Sequence, residues 1–159
     1  MKLPLLLAAG VAAAPAAAAA QTLTITIPQI AEPEYHKPHV VVWLEPVAGG
    51  TPRTLVLWHT KTKDDPDGTR WFNHLRMWWR QAGRSMAMPA DGVSGETRAP
   101  GAHRIILPSD IAPGAYRLHV EAVREVGGRE IVSLPVTFPN PNARATGTTE
   151  LGAITISAR

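Results

Sequence analysis

Cysteine is absent from this sequence. That excludes disulfides, iron–sulfur clusters, thiolate metal sites and thiol catalysis, so the fold must hold by packing alone. Phenylalanine and tyrosine are scarce, at two each. Most of the rings are tryptophan, and three of the five tryptophans fall between positions 71 and 79. No long run of one charge occurs: the arginines are scattered among acids, which argues against nucleic acid as a partner. The formal net charge is +3, one unit of it from Lys2. Also missing are a Gly-x-Ser-x-Gly elbow, a Walker loop and a dinucleotide fingerprint. Ser85, Ser94, Ser109, Ser133 and Ser157 have no nucleophile context, and carboxylate pairs are sparse outside Asp64–Asp67. An independent enzyme is therefore not expected.

What is present begins with "MKLPLLLAAGVAAAPAAAAA". One charge, a leucine-rich stretch and small residues follow in the order of a secretory signal, cut after Ala20. No later segment is long and apolar enough to span a membrane. The remaining residues, 21–159, suit one domain with a buried core.

Period-two alternation marks a strand at Thr22–Ile30, a continuous apolar run marks another at His39–Val47, and Thr54–Thr60 completes a hairpin. Asp64, Asp65 and Asp67 lack calcium-loop spacing and read as a solvated turn. Over Thr69–Gly83 the period changes. Trp71, Leu75, Trp78 and Ala82 form one helical stripe, widened by Phe72 and Trp79. Thr69 is the expected cap and Gly83 the expected left-handed stop. Arg76, Arg80 and Arg84 make a basic edge. Strands follow at His103–Pro108, Tyr116–Glu125, Arg129–Phe138 and Leu151–Arg159, with 139–150 read as polar turns. Seven or so strands with regular turns predict a mainly β, immunoglobulin-like sandwich with one helical insertion. The segment Ala99–Ala122 resembles the immunoglobulin-like strand pair of flagellar hook-cap proteins.

The loop "ADGVSGETRAPG" (Ala90–Gly101) is the main candidate for chemistry. As residues alone, its Asp-Gly and Ser-Gly pairs supply turns. Asp91, Ser94, Gly95 and Thr97 also resemble the acceptor motif of exported proteins that receive covalent FMN. The resemblance implies Thr97 as acceptor and Asp91, Ser94 and Gly95 as recognition residues, with the ester made by a separate FMN transferase. Glu96 stands where that motif has alanine. Arg98 and Arg84 are the nearby cations for a phosphate. Trp71, Trp78 and Trp79 are the available indoles, and Trp78 and Trp79 are assigned to the ring.

The chain as a whole resembles the DUF2271 family of exported bacterial proteins. The carrying residues are Lys37-Pro38, Trp43, Glu45, Asp91, Ser94, Gly95, Thr97, Arg98 and Gly101. That resemblance implies a periplasmic setting beside PepSY-type membrane redox proteins and FMN transferases. Two other readings stay open. One is a cofactor-free binding module. The other is a metal-handling protein using Glu34, His36, His39 and His59 with Met77, Met86 and Met88, for which nothing fixes a ligand set.

Overall fold

The computed structural model describes residues 20–88 and 90–158. The proposed signal segment, residues 1–19, lies outside them. Among the described residues, nine strands form two sheets: β1 (Gln21–Ile27), β2 (His39–Pro46), β3 (Arg53–Trp58), β4 (Ser94–Gly95), β5 (Gly101–Ile106), β6 (Gly114–Val123), β7 (Arg129–Phe138), β8 (Asn142–Thr146) and β9 (Ala153–Ala158). The sheet orders are β5-β1-β9-β8 and β4-β3-β2-β6-β7. The chain is an immunoglobulin-like sandwich. The β5–β6 connection crosses between sheets, and the Tyr116 hydroxyl donates back to the Ala112 carbonyl at 2.9 Å, the corner tyrosine of such folds.

The continuous apolar run of β2 has a direct cause. Val40, Val42 and Leu44 face the core between the sheets, with Leu23, Ile25, Val120 and Ile156. Val41 and Trp43 face the other way, into a second core with Leu57, Phe72, Leu75 and Trp78. The five-stranded sheet is covered on both faces, so β2 has no solvent side to mark with polar residues. β1 ends at Ile27 before Pro28, whose nitrogen has no hydrogen to donate.

Two expectations from the sequence are corrected. The helix over 69–83 is broken into a 3-10 turn (Phe72–His74), a short helix α1 (Arg76–Gln81) and a second 3-10 turn (Gly83–Ser85). Leu75, at φ −76° and ψ 70°, takes inverse γ-turn values and kinks the chain between the first two. Neither Thr69 nor any other side chain caps from within the segment. Instead the fully buried Glu121 of β6 accepts from the amides of Met77 (3.2 Å) and Trp78 (2.9 Å). Gly83 does not take positive φ. Glycine is needed there for space, since a Cβ would lie 2.8 Å from Trp79 and 3.0 Å from Trp78. The second correction is β8, which lies inside the segment read as polar turns. Its Ala143 and Ala145 do pack against the core, but alanine is too small to announce a strand by hydrophobic alternation.

Candidate functional site

The loop after α1 is held as a strand. The amides of Leu57 and His59 donate to the carbonyls of Val93 and Gly95, each at 2.8 Å. These bonds make β4 a short parallel edge of the five-stranded sheet. The segment whose Asp-Gly and Ser-Gly pairs read as turns is thus fixed at its motif as a strand. Two residues beyond β4, the Thr97 hydroxyl lies 3.3 Å from that of Thr60.

Thr97 is half-buried and lines a cleft of about 480 Å³ with Tyr35, Lys37, Thr60, Arg70 and Trp71. That volume falls in the range of small-molecule sites, about 300–1,000 Å³. Lys37 and Arg70 bring positive charge; Asp65, Glu96 and Glu125 bring negative charge to the same walls. The Asp65 carboxylate accepts from the amides of Thr69 (3.1 Å) and Arg70 (3.0 Å), so the acidic turn is a structural clasp. Trp71 stacks on the buried His39, with ring centroids 5.3 Å apart and planes at 20°. Burial, and then the neighbouring His59 and His74, hold the His39 pKa down at about 4. Burial also lowers the pKa of His59, with Lys61 adding to it. Among the described residues, neither ring nitrogen of His59 finds a hydrogen-bond partner.

The other motif residues point elsewhere. Ser94 is turned inward, its hydroxyl buried without a partner among the described residues, beside His59 in a separate cavity of about 200 Å³. A Cβ on Gly95 would sit 3.5 Å from the Trp58 indole, an ordinary contact distance, so packing against that ring does not demand glycine. Asp91 is exposed and faces a third cleft, on the side of Thr54 and Met86. The Arg98 guanidinium lies over the Trp58 ring, 5.4 Å from its centroid. Trp78 is fully buried, and its Nε1 donates to Thr54 at 2.9 Å, so its indole has no face open to a ligand. Trp79 and Arg84 share a different cleft, with Arg76, Arg80 and Arg129. The indole that shares a cleft with Thr97 is Trp71. Spacing along a helix could not have selected it, because the helix breaks at Leu75. Thr60 and Arg70 carried no signal in the sequence, and Lys37 stood out only in the family resemblance; the β3–β4 pairing and the turn at Asp65 bring Thr60 and Arg70 to the cleft.

Among the described residues, no three His, Asp or Glu side chains converge as a metal would require. Glu34 pairs with His36 at 3.1 Å, while Met77, Met86 and Met88 pack against the second core.

Trp43 and Glu45, which stand out in the family resemblance, serve the fold. Trp43 stacks on His119 and donates to Gln81 at 2.7 Å, and Glu45 bonds His119 at 3.0 Å. The family model described as "Predicted periplasmic protein (DUF2271)" matches residues 20–153. The chain belongs to the DUF2271 family. No curated protein and no solved structure matches it. No helix of the described residues in this DUF2271 chain is long and apolar enough to cross a membrane.

Proposed function

We propose that this DUF2271 protein is a periplasmic accessory of a membrane redox system and carries FMN as a phosphoester on Thr97. The observation that carries the reading is the meeting of the Thr97 hydroxyl with Trp71, Lys37 and Arg70 around one open cleft. An acceptor hydroxyl must be reachable by a second enzyme, and Thr97 is only half-buried. Lys37 and Arg70 would balance the phosphodiester charge. Trp71, braced by His39, would offer a flat face to the ring system. The flavin would supply one- and two-electron transfer, while the chain supplies tether, stacking surface and charge.

The modification balances with a flavin dinucleotide as donor. The Thr97 Oγ–phosphorus bond forms as the bond to the AMP half breaks, AMP leaves, the hydroxyl proton passes to solvent, and nothing is oxidised or reduced. Glu96 sits on the same cleft, where its charge opposes an incoming phosphate. Glu96→Ala should therefore speed modification by about fivefold, the effect of about 1 kcal/mol of like-charge repulsion near a surface.

The test is in-gel flavin fluorescence after incubating the purified protein with an FMN transferase and flavin dinucleotide. Wild type should become fluorescent and Thr97→Val should stay dark. Thr60→Val, which keeps the neighbouring shape, should still label. Labelling of Thr97→Val would put the flavin on another residue and overturn the Thr97 assignment, and no labelling of wild type and Glu96→Ala alike would leave a cofactor-free binding module as the better account.

A further inference from the structure

Next to the Thr97 cleft, beyond Trp71, lie two more clefts of about 430 Å³ each. Trp71 lines both the first and the second; Arg76 and Arg129 line both the second and the third. The last two therefore adjoin as one groove beside α1. Their walls carry Arg76, Arg80, Arg84, Arg129 and the half-buried Trp79, and no acidic side chain. Among the described residues, Arg76, Arg80 and Arg84 have no ion-pair partner. Arg129 spends only its Nε, on the buried Glu121 at 2.7 Å. Arg124 also lines the second cleft but is committed to Glu32 and Glu150; in a chain whose formal net charge is only +3, the other four arginines in one concavity are a strong local concentration.

A second observation comes from the β6–β7 turn, which walls the same groove. Val126 has φ 51° and is 70% exposed. A β-branched residue is strained in the left-handed region, and such strain persists where the surroundings or a function require it. The turn around it is firmly held. Arg124 donates to Glu32 and Glu150, Gly128 donates its amide to Glu150 at 2.9 Å, and a Cβ on Gly127 would strike the Arg124 guanidinium. The hairpin thus presents an apolar side chain, in an unfavourable backbone state, at the rim of a basic groove.

We infer that this groove docks an acidic segment of a partner polypeptide, its carboxylates on the four arginines and an apolar residue against Val126 and Trp79. Two adjoining clefts suit an extended chain better than a compact ligand. Planar guanidinium groups suit carboxylates spaced along it. The inference does not depend on flavin at Thr97.

A fluorescein-labelled peptide of alternating Glu and Gly, followed by anisotropy on the full mature chain, is the test. The peptide should bind wild type, and added salt should weaken it. The triple change Arg76→Gln, Arg80→Gln and Arg84→Gln should weaken it roughly tenfold, the sum expected of three surface ion pairs. A control with the same charge loss, Arg104→Gln, Arg117→Gln and Arg144→Gln, should leave binding within about twofold. Val126→Asn, which tolerates positive φ, should raise the melting temperature and weaken a peptide that also carries leucine. Equal loss in both triple variants would overturn the proposal as mere net charge. So would no peptide binding by wild type, including the case where it binds phosphatidylglycerol vesicles instead.

Discussion

At the scale of the residue, burial decides what each titratable group can do. His39 is neutral and stacked in the folded chain, with its pKa near 4. The unfolded chain takes up that proton near the ordinary value of 6.5, so the neutral form's contribution is complete above about 6.5 and is lost as pH falls toward 4. Melting temperature should drop across that window. His39→Phe, which keeps a ring against Trp71 and removes the unpartnered Nδ1, should flatten the drop. Glu130 acts lower. Burial pushes its carboxyl up, but the amides of Thr148, Thr149 and Leu151 and the Thr148 hydroxyl outweigh that and hold it at about 2. Its contribution is complete above about 4.5 and is lost as pH falls through about 2. Glu130→Gln should cost about 2 kcal/mol at neutral pH and remove that acid-sensitive step, read by denaturant melts at several pH values. Trp78→Ala, which opens a cavity in the second core, should cost about 3–5 kcal/mol. Trp71→Leu at the cleft should cost less. If Thr97 carries flavin, the same change should brighten it by removing an indole that quenches the ring.

At the scale of the element, α1 is a product of the sheet beneath it. A helix of six residues is marginal alone. It forms because Glu121 accepts from its first amides and because Trp78 and Leu75 fill the outer face of the five-stranded sheet. Glu121→Ala should therefore cost about 3 kcal/mol, leaving two helix amides and Arg129 without their acceptor. It should also quench or shift tryptophan emission before the sheets melt. The sequence carried the hydrophobic stripe of this segment but not its breaks, because the cap comes from a residue 43 positions away. The strands β2, β3, β6 and β7 were legible since their apolar periods reflect burial directly. β8 was not, since two alanines signal little. Of the site, Thr97 was legible through its motif. Trp71 was only one of three available indoles, Lys37 stood out only in the family resemblance, and Thr60 and Arg70 gave no sign, because the cleft draws on three separate segments that converge only through tertiary pairing.

At the scale of the molecule, the sandwich leaves its candidate site at one edge. The four-stranded sheet closes the first core. The five-stranded sheet is covered by the segment between β3 and β5, and the same segment supplies the Thr97 loop, Trp71 and three arginines of the groove, Arg76, Arg80 and Arg84, which Arg129 of β7 joins. One insertion thus provides both the candidate tether and the candidate docking face, on a frame that needs no disulfide. The Thr97 assignment is tested most directly by peptide mass spectrometry of the protein co-expressed with an FMN transferase. The peptide containing Thr97 should gain one FMN less water, with the fragment ions placing it on that hydroxyl. The added mass on any other residue, or an unmodified Thr97 peptide in both wild type and Glu96→Ala, would contradict it.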